Sequence, residues 1–368
     1  MNKSLKFINK DKSGFLPTLK TRVDSYFLEK NISRHANKFM VFKTVFFVAL
    51  AIALYLLIIT SAFSLYFQLG AGILLGMTMA FIGFNICHDA LHGSYSANKK
   101  VNKVLGFIFN IIGASTYVWN LTHNVVHHSY TNIVDHDEDI EIAPGLIRVH
   151  ETDKSNKIQR FQHIYAFFLY SLTTLSWFFR KDYLKFFKKD IGDSHINKHP
   201  RSAYFNLFFY KAIYYFLFIV LPLLVMSLTW WQFLIGFVAM NLAEGLVLGL
   251  VFQLAHVVED TEIRYADNNC VEDAWAVHQL KTTANFAPSS KIANFLCGGL
   301  NLQVEHHLFP KICHVHYKRL SAIVKQTAAE FNLPYHVNSS FFSALKSHYS
   351  FLKKLGRPVK AYATSNNL

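Results

Sequence analysis

The sequence predicts an all-α integral membrane protein, with four transmembrane helices in two hairpins and a cytoplasmic helical cap. Three observations carry that expectation. Two blocks of 44 residues are almost free of charge, the basic residues lie almost entirely outside them, and the composition suits lipid. Of the 368 residues, 52% are hydrophobic and only 16% are charged, against about 25% charged in a soluble domain. There are 35 Phe, 18 Tyr and 5 Trp, and the mean hydropathy is +0.20. Such a chain is neither disordered nor collagen-like, nor a nucleic-acid-binding tail, and an ordinary soluble enzyme is disfavoured.

The first uncharged block runs from Thr44 to Cys87. At about 1.5 Å per helical residue it can cross a bilayer core of about 30 Å twice. A break at Gln68-Leu69-Gly70-Ala71-Gly72 divides it into helices at about 44–66 and 70–87. The second block, Ala212 to Ala255, contains one charge, Glu244. It breaks near Leu228-Thr229-Trp230-Trp231-Gln232, where paired Trp suits a membrane interface. Its helices are expected at about 205–228 and 232–255, with Pro222 kinking the first.

Of the 37 Lys and Arg, 10 lie in residues 1–43, 14 in 88–204 and 12 in 255–368. Lys211, near a helix end, is expected to snorkel. Basic loops stay cytoplasmic, so both termini and the middle segment are expected there, on the inner-membrane side if the source is bacterial. The net charge of +14 then reflects a membrane surface and not nucleic acid. The expected organisation is a basic N-terminal arm (1–43), a main domain (44–345) with cytoplasmic segments 88–204 and 256–345, and a C-terminal tail (346–368), loose from about 355. The N-terminus lacks the compact apolar core of a signal peptide. Val104–Val118 and His163–Phe179 are too short or too poorly placed to span, and are expected to be interfacial or re-entrant. Cys87, Cys270, Cys297 and Cys313 form no C-x-x-C pair and no readable disulfide framework.

The 19 histidines carry the chemistry. The second helix ends in His88-Asp-Ala-Leu-His92, whose i, i+4 spacing puts both imidazoles on one face. His123-Asn-Val-Val-His127-His128 repeats that spacing, with His128 about 100° round the helix and placed to serve a second metal. Gln303-Val-Glu-His306-His307 forms a third cluster, and His256 follows the fourth helix. One H-x-x-x-H is more often a polar helix face than a ligand pair. Three clusters and a further His on one side of a membrane protein point to function. Eight imidazoles are too many for one ion, and two fit. Imidazole suits Zn, Cu, Fe and Ni. A lipid offers unactivated C–H bonds, which need a redox metal, and zinc has no redox chemistry. Iron is therefore expected.

HDALHG (88–93), HNVVHH (123–128) and QVEHHLFP (303–310) resemble the three histidine boxes of the membrane fatty-acyl desaturases. The resemblance extends through 131–144, 252–259 and 275–288, and covers roughly residues 40–345. Gln303 at the first position of the third box is similar to the front-end subgroup, which inserts a double bond between an existing one and the carboxyl end. The resemblance implies a cytoplasmic cap holding a histidine-ligated, non-haem diiron site. Its ligands would be His88, His92, His123, His127, His128, His256, His306 and His307, with Gln303 a direct or water-mediated ligand, or none. It also implies O2 as oxidant, a fatty acyl chain on CoA or lipid as substrate, and a cis alkene as product. No separate side-chain nucleophile is expected. Many front-end relatives carry a fused cytochrome b5 domain with an His-Pro-Gly-Gly motif. This chain has no such motif, so electrons are expected from an external ferredoxin or cytochrome b5, docked on the basic face.

Carboxylates beside ligands orient imidazoles and raise their basicity. Asp89, Asp135, Asp137, Asp139 and Glu305 are candidates for that role, Glu138 and Glu141 completing the acidic run. The bland alternative is a solvated acidic loop. His278 is expected to give hydrogen-bonding support, while Thr283 and Asn285 lie in a matching segment with undefined roles. Glu244, near mid-membrane, is expected to make an interhelical hydrogen bond. His136, His150, His163, His195, His199, His314, His316, His336 and His348 are read as surface or structural. Two rival functions remain: a lipid hydroxylase on the same iron scaffold, and a non-enzymatic membrane haem or metal-binding protein. A haem protein would place its histidines within helix interiors, whereas these sit at helix ends.

Overall fold

The structure, a computed structural model, describes residues 5–357 apart from Asp11, Glu141, Lys154 and residues 192–193 and 196–197. The side chains of 194–195, His195 among them, and the tail beyond 357 also lie outside the described residues. Among the described residues, four helices are long and apolar enough to cross a membrane: α2 (Lys38–Ile59), α3 (Leu65–Leu91), α7 (Arg201–Val225) and α8 (Trp230–His256). Other helices include α1 (Phe15–Glu29), α4 (Lys99–Ile111), α5 (Thr116–Tyr130), α6 (Gln162–Ser171), α9 (Trp275–Thr282), α10 (Gln303–Leu308), α11 (Tyr317–Glu330) and α12 (Phe341–Leu355).

Each apolar helix begins two to six residues before its expected start, and ahead of α2, α3 and α8 a side-chain cap lies upstream of the apolar run. Asn37 accepts from the Met40 amide ahead of α2, and Ser64 from the Phe67 amide ahead of α3. Thr229 and Gln232 form a capping box ahead of α8. The first break therefore lies at residues 60–64, where Ser61 takes φ 51°, and not at the glycines of 68–72. Those glycines sit inside α3, which packs most extensively on α8. A Cβ on Gly76 would run into the Met240 carbonyl. Small residues let membrane helix backbones approach this closely. The central helix is thus α3, while α2 and α7 keep Phe42, Phe46, Phe205 and Leu224 exposed, as a lipid-facing surface requires.

The two doubtful apolar stretches do not form straight spans. α4 and α5 meet at 113°, and Gly113 at the bend has φ 109° and packs against Phe178. The 163–179 region begins as α6, pauses at Leu172 and continues through Thr173–Ser176 into a wide π turn over Trp177–Lys181. Lys211 does not snorkel. It is buried and pairs with Asp182 at 2.8 Å, also donating to the Gly113 carbonyl at 2.6 Å.

Both terminal regions are more built than expected. In α1, Phe15, Leu19, Val23 and Phe27 recur every four residues and are buried against Leu320, Val324 and Ala328 of α11. Lys6–Phe7 pairs in parallel with Cys270–Val271. The expected tail begins inside α12, where Leu352 is buried and His348 bonds to Tyr170 and the Val257 carbonyl.

Candidate metal centre

The histidine clusters meet where α3, α5, α8 and α10 end. Two of these segments contain a π turn, over Gly83–Cys87 and over Asn120–His127. Such i→i+5 turns widen the helix and often occur at functional sites. The second one changes the expected pairing. With a wider turn, His127 falls short of a full rotation from His123, and the two do not share one ligand group. His123 joins His88, His92 and His306, whereas His127 joins His256 and His307. His128 joins His306 and His307, bridging the two groups. All eight imidazoles are buried except that of His92, which is half-buried.

The donor atoms fit metal ions. Nε2 of His123 and His127, Nδ1 of His128 and His256, and both nitrogens of His88 are buried without a hydrogen-bond partner. His128 and His306 point Nε2 at one another across 3.0 Å. Burial and the surrounding imidazoles push His92, His306 and His307 well below the ordinary histidine range, so their lone pairs stay available. The amide nitrogen of Gln303 lies 2.9 Å from His256 Nε2 and 3.3 Å from His307 Nε2, and its Oε1 is buried and unpartnered. Rotating the amide would bring that oxygen to the same two imidazoles.

The nominated carboxylates divide. Asp137 accepts from His127 Nδ1 at 2.9 Å, and both side chains are fully buried. Asp139 lies 3.5 Å from His123 Nδ1 and 3.1 Å from Lys185 Nζ. Asp89 turns away from the first box. It accepts from His314 Nδ1 at 2.9 Å, and His314 Nε2 meets the buried Lys43 Nζ at 2.9 Å. Glu305 also faces away, bonding Asn285 at 2.9 Å and Tyr335 at 2.7 Å, and burial pushes its carboxyl up to about 7. Asp135 is exposed, at φ 66°, and touches no ligand imidazole among the described residues. Glu141 lies outside those residues. His278 supports, as expected, by bonding the Thr131 carbonyl at 2.7 Å. Thr283 bonds the Gln279 carbonyl at 2.6 Å, and Asn285 holds the Val304 amide at 2.9 Å. Glu244 is buried, but its Oε2 has no partner, so the expected interhelical bond is absent from that atom.

Three neighbours of the cluster are not singled out by the sequence, although two of them lie in the matching segment 275–288. Gln279 accepts from His307 Nδ1 at 2.8 Å, and the Tyr317 hydroxyl lies 3.3 Å from His306 Nδ1. Trp275 Nε1 donates to the His128 carbonyl at 3.0 Å. Gln279 lies one turn beyond Trp275 in α9 and follows the noted His278, so only the helix phase of α9 could have singled it out.

A cavity of about 180 Å³ opens beside the cluster. His88, His123 and Gln303 form one wall, and Phe84, Phe109, Trp119, Trp177, Leu248 and Phe252 supply apolar surface. Thr173, Lys181 and Lys185 also line it.

Residues 61–339 match the family model described as fatty acid desaturase. The chain belongs to the fatty acid desaturase family. This desaturase is 36% identical over 342 residues to the sn-1 linoleoyl-lipid 6-desaturase of Arthrospira platensis, covering 93% of this chain and 92% of that protein. It is 35% identical over 348 residues to the sn-1 linoleoyl-lipid 6-desaturase of Synechocystis, covering 94% and 96%. The acyl-lipid (8-3)-desaturase of Physcomitrium patens is 35% identical over 355 residues, covering 96% of this chain and 74% of that protein. The desaturase is therefore an oxidoreductase of lipid metabolism acting on fatty acyl chains in a membrane, and the histidine cluster is its candidate metal site.

Proposed function

We propose that this desaturase is a front-end enzyme that inserts a cis double bond on the carboxyl side of an existing one, in an acyl chain esterified to lipid. The observation that supports it best is the juxtaposition of eight converging imidazoles with an apolar cavity. Two irons would be held there. His88, His92, His123 and His306 form one group, and His127, His256 and His307 the other. His128 lies between the groups, and Gln303 is within reach of the second. Bound iron supplies the O2-dependent oxidation that an unactivated methylene requires. The protein's own work is positioning. Asp137 and Asp139 orient the second-box imidazoles, Tyr317 and Gln279 orient those of the third box, and the apolar walls keep water from the acyl chain. The linoleoyl- and acyl-lipid names of the relatives support an ester-linked substrate. The distribution of Lys and Arg supports a cytoplasmic cluster with both termini on that side. Electrons would come from a separate ferredoxin or cytochrome b5.

The test is the lipid profile of a host expressing this chain with such a carrier and fed mono- and di-unsaturated acids, with His128→Ala alongside. A new double bond on the carboxyl side of the old one, absent in His128→Ala, is the expected result. Iron analysis should give two per chain in the wild type and fewer in the variant. A methyl-side double bond would overturn the front-end reading. A hydroxylated product would make the protein a hydroxylase.

A further inference from the structure

The cavity beside the cluster does not end at its apolar walls. Glu138, Ile142, Thr173, Lys181 and Lys185 line it and also line a second, outer cleft. The five residues form a neck between the two. The outer cleft adds the exposed Arg180 and Lys188 together with Asp135 and Asp137, so its lining is charged and polar. The inner cavity is mostly apolar, with Thr122 and Asp139 joining the histidines as its polar lining. An amphiphile with a polar end and a long hydrocarbon tail fits that gradient in one direction only.

At the neck, the charges are unequally occupied. Lys185 is paired with Asp139 at 3.1 Å, and Lys188 is paired with Glu138. Lys181 has no ion pair among the described residues. Its Nζ makes one hydrogen bond, 2.9 Å to the Ile142 carbonyl, although an ammonium has three donors. Thr173 also lines the neck, and its buried hydroxyl has no partner among the described residues. Two donors with unused capacity at the neck can take an acceptor oxygen from a bound molecule. The neck is also close to the metal cluster. Asp139 touches both Lys185 and His123, so two contacts link the neck to a candidate ligand. A polar group held here lies a short stretch of chain from the histidines, as front-end chemistry demands.

Resting on the front-end reading above, we propose that Lys181, with Thr173, is a specificity-determining residue that holds the ester or thioester carbonyl of the acyl chain at the neck. The position of that carbonyl fixes which methylene faces the histidine cluster. Lys185 and Lys188 keep their carboxylate partners, so they shape the neck but leave the carbonyl to Lys181.

A binding cycle on the purified, full-length protein tests this without turnover. The probes are cis-parinaric acid methyl ester and the matching parinaryl methyl ether, which lacks the carbonyl. Binding is read as energy transfer from tryptophan, two of which, Trp119 and Trp177, line the cavity. Losing a charge-assisted hydrogen bond costs about tenfold in affinity. Lys181→Met should therefore weaken the ester about tenfold and the ether less than about twofold. Lys181→Arg should keep most of the ester affinity, which excludes misfolding as the cause. Unchanged ester binding, or an equal loss for ester and ether, would overturn the proposal. In the expressing host, Lys181→Met should also spread the new double bond over neighbouring positions, with iron content unchanged. A single wild-type position in that variant would likewise overturn the anchor. If the wild type itself makes no carboxyl-side double bond, the front-end reading falls, and the binding cycle still decides whether Lys181 holds a carbonyl.

Discussion

The first and second histidine boxes each sit beside aspartates, and they use them in opposite ways. In the second box, Asp137 and Asp139 face the rear nitrogens of His127 and His123. In the first, Asp89 follows a candidate ligand directly in sequence, yet it turns to His314 and, through it, to Lys43. His88 is left with two unpartnered nitrogens. The third box has neutral partners, Tyr317 and Gln279. The difference shows in proton affinity. Burial pulls down the imidazoles of His127, His306 and His307 alike, but at His127 the charge of Asp137 overrides it and raises the value, whereas His306 and His307 stay depressed. A carboxylate behind an imidazole makes it a stronger donor to a metal. Negative charge is therefore concentrated behind the second box, whereas the first box is braced from behind its helix, through Asp89, His314 and Lys43.

The largest effect is expected where the first box is braced. Lys43→Met leaves the buried Asp89 without its cation. Removing one partner from a buried charged set costs about 3–5 kcal/mol, read as a lower thermal denaturation midpoint of the solubilised protein. Asp89→Asn added to Lys43→Met should recover part of the loss. No recovery would mean that Lys43 acts through packing against Phe39 and Phe295.

Next is Asp137→Asn, which keeps the shape and removes the charge. Iron affinity or conversion should fall about 10–100-fold, measured by iron content under chelator competition. Asp139→Asn should cost less, because Asp139 is farther from its imidazole and already shared with Lys185. Equal losses from the two would erase the distinction between them. Tyr317→Phe removes one neutral hydrogen bond and should lower conversion only about threefold.

Much of this was legible in the sequence, for reasons that particular residues make clear. Long uncharged runs and the i, i+4 spacing of His88 and His92 are local patterns, so the helices and the first box could be read directly. The helix starts were misplaced because capping by Asn37, Ser64 and Thr229 lies outside the hydropathy signal. The separation of His123 from His127 depends on a π turn, which no periodicity announced. Asp89 and Asp137 look alike in sequence. Which one serves a ligand is decided by Lys43 and His314, 46 and 225 positions from Asp89. The neck at Lys181 was invisible for the same reason, since it joins the acidic loop after the second box to the turn after α6.

The neck also sharpens the comparison through pH. Burial, and then the neighbouring Lys185, push the Lys181 ammonium down to about 8. The group is therefore charged below about pH 8 and neutral above it. Arg180 adds to the downward push, while Asp139 and Glu138 oppose it. If the ammonium holds the acyl carbonyl, KM for an ester substrate should rise severalfold between about pH 7 and pH 9, with kcat nearly constant, because a charged donor is replaced by a weaker neutral one. Lys181→Arg keeps its charge across this range and should flatten the profile. The same rise in Lys181→Arg would assign the titration to another group. A fall in kcat instead would place it among the histidines. The pH profile thus separates a group that seats the substrate from those that support the metal, two roles that share this small region through Asp139.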